Sequence, residues 1–164
     1  MAKKTNANYI SRKESARISR ENRRITSAIE KERNRKNVDP SEYITTMKDP
    51  NNVVEFDNLH TYFFTDIGTV KAVDGVTFNV PKCSTVGVVG ESGCGKSVTS
   101  LSLMQLLQRP QGQVVSGAIR LNLGDKAYDV TKAPNEVMQK LRGNYVSMIL
   151  PKMCNIADPH FIWS

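Results

Sequence analysis

Apolar and polar positions alternate from Val76 to Val80, the period of a half-buried antiparallel strand. Upstream, Val53 to Leu59 and Thr61 to Phe64 read as one strand or two broken pieces. Asp66-Ile67-Gly68 supplies a turn, with Gly68 as the permissive residue, and Thr69 to Val73 resumes the strand. Pro81-Lys82-Cys83 turns the chain into Thr85 to Val89, a short apolar run suited to a buried strand. From Val98 the period changes. Leu101, Met104 and Leu107 recur at helical spacing until Arg109-Pro110-Gln111-Gly112 stops the helix. Ser116 to Leu123 alternates again, and Pro134 to Arg142 reads as a short helix with Gly143 beyond its end. Tyr145 to Leu150 is a further run expected to form a buried strand.

The first 50 residues differ from this pattern. They are polar, and Ile18, Ile25 and Ile29 would share only a thin stripe on a helix between Glu14 and Lys36. A stripe that narrow docks weakly and builds no core of its own. Residues 1–52 therefore read as an arm and linker, helical or disordered, with the helix stopped near Asp39-Pro40. Residues 53–164 hold the folded part.

Charge sharpens that division. Of the net +7, residues 1–50 carry 13 Lys/Arg against 7 Asp/Glu, and the remainder is close to neutral. A basic arm could touch RNA or an anionic membrane face, but basic charge alone specifies only non-specific contact. A solubilising extension is the preferred reading, and nucleic acid is disfavoured as a partner. Cys83, Cys94 and Cys154 are odd in number and lack metal-ligand spacing, so reduced thiols are expected. No leader pattern opens the chain, and no run approaches the ~18 apolar residues of a membrane span.

The chemistry is concentrated in Gly90 to Ser97, which reads GESGCGKS. It fits G-x-x-x-x-G-K-[ST] at every fixed position, between an apolar run and a helical one, as that motif requires. Gly90, Gly93 and Gly95 allow backbone conformations closed to side-chain-bearing residues, so successive N–H groups can turn toward a phosphate. The following helix adds the positive end of its dipole. Lys96 would reach the β- and γ-phosphates of a nucleotide, and the Ser97 hydroxyl would hold Mg²⁺. Glu91, Ser92 and Cys94 fill the variable positions of the loop.

The order of these pieces resembles the ATP-binding subunit of an ABC transporter, most closely the dipeptide, oligopeptide and nickel importer group. Thr61 to Asp66 and Val70 to Val76 look like that family's opening antiparallel strands. GESGCGKSVTSLSLMQLL is similar to its phosphate loop and first helix, and Leu141 to Ile149 to its approach to a glutamine-containing loop. The resemblance covers roughly residues 53–150. It implies an α/β fold of the P-loop NTPase type, with a mixed sheet around the loop helix. It further implies ATP and Mg²⁺ as ligands, with a permease subunit and a second ATP-binding subunit as partners. The place of work would be the cytoplasm, or the cytoplasmic face of the cell membrane as a peripheral subunit. An aromatic near Phe63 would stack on the adenine ring; Tyr62 and Phe64 compete for that role, and ordinary packing is the alternative for each. A small kinase or GTPase, or a nucleic-acid-binding protein built on the arm, are the other readings.

Departures from the family matter as much. Where it places glutamine this chain has Pro151, and only Asp158-Pro159 echoes the loop beyond. The signature motif, the acidic Walker B strand with its catalytic glutamate, and the switch histidine find no counterpart; His60 and His160 stand in the wrong order to serve. The resemblance thus implies an N-terminal portion of the domain, incomplete after residue 150, that binds phosphate without activating water. The 164-residue polypeptide should release no phosphate from saturating ATP beyond the background of its Lys96→Ala form. A Lys96-dependent rate of about 1 per second, ordinary for kinases, would show that the chemistry lies elsewhere.

Overall fold

The computed structural model describes residues 10–149. Readings placed on Leu150, Pro151, Cys154, Asp158-Pro159 and His160 lie outside them. Helix α1 (Arg12–Arg33) and the single-turn α2 (Pro40–Tyr43) precede strands β1 (Ile44–Thr45), β2 (Asn52–Thr65) and β3 (Gly68–Pro81). Helix α3 (Lys96–Met104), strands β4 (Gly112–Asn122) and β5 (Ala127–Asp129), and helix α4 (Asn135–Leu141) follow.

One five-stranded sheet, ordered β1-β5-β4-β2-β3, carries the fold, and every pairing between its strands is antiparallel. β2 forms as a single strand through Asn58, where a left-handed residue (φ 47°) lets the ladder bulge without breaking. The partner across that bulge must be glycine. A Cβ on Gly117 would lie 2.3 Å from the Asn58 carbonyl oxygen, and its φ is 89°. Thr65 closes the β2–β3 turn by donating its hydroxyl to the Gly68 carbonyl at 2.7 Å.

Alternation along β3 puts Val76, Phe78 and Val80 toward the core, while Thr77 and Asn79 face water. Phe78 stacks on Phe56 with ring centroids 4.3 Å apart. Leu59, Ile119, Leu121 and Val130 bury fully or nearly so, and α4 closes over them with Met138 and Leu141. Within this apolar set the buried Glu55 carboxylate is satisfied by the backbone N–H groups of Lys48 and Asp49 (2.9 and 2.8 Å) and by Asn52 Nδ2 (3.0 Å). Burial pushes its pKa up, but those donors, with Arg120 nearby, pull it lower overall. The carboxylate thereby fastens the segment ahead of β2 to the sheet.

Four sequence expectations are corrected. Thr85 to Val89 forms no strand: among the described residues nothing pairs with it, and Val89 is 91% exposed. Tyr145 to Ile149 likewise contributes only an isolated parallel bridge, Val146 with Arg142, and Ile149 is 95% exposed. Strands exist through their neighbours' N–H and C=O groups, so an apolar run without a neighbour stays irregular. Asp39-Pro40 does not stop a helix but starts one, with Asp39 as N-cap of α2; α1 has already ended at Arg33. The arm also joins the fold. β1 adds an edge strand, and α1 lies against the β2–β3 turn through polar residues. Ser15 and Ser19 donate to Asp66 (3.0 and 2.8 Å) and Asn22 to the Thr65 carbonyl (2.8 Å). Thr26 is buried, and Glu30 accepts from Gln113 (2.6 Å) while Ile25 stays exposed.

Candidate functional site

The GESGCGKS loop connects the unpaired segment before Gly90 to α3. Gly93 (φ 84°) and Gly95 (φ 94°) adopt left-handed conformations, and Gly95 is the N-cap of α3. Close approach explains Gly95 further: a Cβ there would sit 2.4 Å from the Ala72 carbonyl oxygen of β3. The helix begins with the Thr99 N–H donating to Gly95 O at 2.9 Å. Lys96 folds back over the loop, its ammonium donating to the Gly90 and Glu91 carbonyls (2.7 and 2.6 Å) and to Cys94 Sγ (3.5 Å). Ser97 is exposed on the first turn of α3, and Glu91, Ser92 and Cys94 are exposed on the loop. A cleft of about 470 Å³ runs beside the loop, walled by Ala72, Val73 and Phe78 on one side and Val86 and Val88 on the other.

Two contacts aim α3. Thr61 Oγ1 of β2 and Ser102 Oγ share a buried hydrogen bond of 2.9 Å. At the far end, the Arg142 guanidinium donates to the Met104 and Gln105 carbonyls (2.8 and 3.3 Å), where the helix dipole is negative. Burial lowers the Arg142 pKa and neighbouring Arg109 lowers it further, yet an arginine stays charged. Sequence reasoning passed over Thr61, Ser102 and Arg142, since each acts across the fold rather than within a motif.

Phe63 is half-buried, with its ring against Gly112 on the side where Leu107 follows α3. It is not among the residues walling the loop cleft, and Phe64 is buried. Tyr62 is set into a polar cluster. Its hydroxyl donates to Asp74 Oδ1 at 2.6 Å, His60 Nδ1 stands 2.8 Å from the same oxygen, and the Lys71 ammonium lies 5.3 Å from the Tyr62 ring centre. Asp74, which also lines the loop cleft, was not singled out from the sequence.

Comparison with known proteins agrees with this geometry. Residues 73–148 match the profile of the ABC transporter family. That stretch, less than half of the chain, is similar to part of an ABC transporter domain. The oligopeptide transport ATP-binding protein AppD of Bacillus subtilis is 45% identical over 107 residues, covering 65% of this chain and 31% of AppD. The dipeptide transport ATP-binding protein DppD of Bacillus subtilis is 41% identical over 107 residues, again 65% of this chain and 31% of the relative. The glutathione import ATP-binding protein GsiA of Pectobacterium atrosepticum is 38% identical over 110 residues, 66% of this chain and 18% of GsiA. The chain thus spans about a third or less of these relatives' lengths. No helix among the described residues is long and apolar enough to cross a membrane.

The Asp74 cluster gives a pH-dependent readout. Hydrogen bonds from Tyr62 and then His60 outweigh burial and, helped by Lys71, lower the Asp74 pKa from 3.8 to about 2. Its stabilising contribution is complete above about pH 4 and is lost as pH falls through about 2. Carboxyl carbon NMR should show Asp74 titrating near that value, and Tyr62→Phe should move the midpoint upward. An unmoved midpoint in Tyr62→Phe would mean the hydroxyl does not hold the carboxylate.

Proposed function

We propose that this chain supplies the nucleotide-binding portion of a peptide importer's ATP-binding subunit. It cradles ATP–Mg²⁺ with Gly90, Glu91, Ser92, Gly93, Cys94, Gly95, Lys96 and Ser97, and Phe63 is the aromatic proposed for the adenine. The observation that carries this reading is the loop itself: two left-handed glycines, the N-terminus of α3, and an ammonium folded over the loop mouth. These groups fit a phosphate chain. The carbonyls of Gly90 and Glu91 hold Lys96 at the spot where phosphate oxygens would accept from it instead. The loop N–H groups and α3 would take the remaining negative charge.

Ser97 would give Mg²⁺ one hydroxyl ligand, the bound ion neutralising phosphate charge. Among the described residues no group of three or more His, Cys, Asp or Glu forms a metal centre, so water and phosphate oxygens would complete the shell. The relatives' names carry the substrate class: AppD and DppD are oligopeptide and dipeptide transport proteins. A permease subunit and a second ATP-binding subunit are the proposed partners, with the chain held peripherally at the cytoplasmic face of the membrane.

Lys96→Ala removes charge-assisted hydrogen bonds worth about 1.5–3 kcal/mol, so the affinity for a fluorescent ATP analogue with Mg²⁺ should fall roughly 10- to 100-fold. Equal affinity in wild type and variant would remove the loop from the binding site.

A further inference from the structure

Docking of α1 through one polar face leaves its opposite face to solvent, and that face is cationic. At 100° per residue, Lys13, Arg17, Arg20, Arg24 and Lys31 fall within about 60° of one another, opposite the row of Ser15, Ser19, Asn22 and Thr26 that meets the sheet. All five are exposed. The acids of the helix lie elsewhere. Glu30 is turned inward to Gln113, and Glu14, Glu21 and Glu32 follow one edge, where Glu14 meets Arg17 at 3.6 Å. The stripe is straight and about 27 Å long at 1.5 Å per residue.

We infer that α1 is a docking surface for a bilayer with anionic phosphate headgroups, lying along it rather than entering it. Charge complementarity picks the class of partner, and the shape of the face picks a plane. One face of a straight helix lets a flat surface reach all five cations together. The helix has no Phe, Tyr or Trp on which nucleic-acid bases could stack, and no exposed apolar stripe wide enough to insert. The cations are also fixed in direction, because the serines, Asn22 and Thr26 hold the opposite face against β2 and the turn after it. The inference stands on the helix and is independent of nucleotide binding.

Each basic residue near an anionic surface strengthens binding about fivefold. The full chain should co-sediment with phosphatidylcholine–phosphatidylglycerol vesicles and not with phosphatidylcholine alone, and about 1 M salt should release it. The combined variant Arg17→Gln, Arg20→Gln, Arg24→Gln should bind about a hundredfold more weakly. Lys82→Gln, Lys126→Gln, Lys140→Gln removes the same charge from exposed positions elsewhere and should bind nearly as wild type. Circular dichroism and ATP-analogue binding should be unchanged in both triples, which separates this result from the nucleotide reading. Equal losses in the two triples would overturn the inference, because net charge alone would then explain the binding. So would equal binding to both kinds of vesicle, or displacement from the vesicles by single-stranded RNA at equal phosphate concentration.

Discussion

Backbone pairing to β2 is the constraint on which the rest of the structure depends. β2 is bonded along both edges, to β3 and to β4, and β4 in turn carries β5 and β1. On the sheet side, the groups that position the phosphate loop belong to this strand and its neighbour β3. Ala72 of β3 presses against Gly95, and Thr61 of β2 holds Ser102 of α3. The polar face of α1 rests on the turn that joins β2 to β3. Because antiparallel neighbours need only short connections, this half of the architecture satisfies its own hydrogen bonds.

The segment entering the loop has no such support. Val86, Val88 and Val89 are exposed, and their backbone joins no ladder among the described residues. The loop nevertheless keeps its left-handed glycines, the start of α3 and the inward lysine. Its shape is therefore fixed from the side of α3 and β3, through Gly95 and Thr99, rather than from the strand side. Arg142 completes that arrangement by meeting the carbonyls at the other end of α3.

Much of this was legible in the sequence because its causes are local. The G-x-x-x-x-G-K-S spacing located the loop, the alternation from Val76 to Val80 located half of β3, and Asp66-Ile67-Gly68 located the turn before it. Reading failed where a neighbour decides the outcome. Thr85 to Val89 has strand composition, yet composition supplies no ladder. The first 52 residues read as an arm outside the core because their isoleucines form only a thin stripe, but Ser15, Ser19 and Asn22 of α1 find acceptors at Thr65 and Asp66, more than 40 residues away. Asp39-Pro40 suited a helix start as well as a stop, and the Asp39 side chain accepting from the Ser41 N–H at 2.8 Å decided for a start. The cluster of His60, Tyr62, Lys71 and Asp74 forms only once β2 and β3 lie side by side.

Hydrogen exchange of the backbone amides tests most directly whether the loop is held from the sheet side alone. Amides of β2 from Val54 to Phe64 should exchange slowly, as members of the most stable part of the fold. Those from Thr85 to Val89 should exchange close to the rate of an unstructured peptide. Protection from Thr85 to Val89 equal to that of β2 would mean the segment is a paired strand, and the account of a loop held only from α3 and β3 would be wrong.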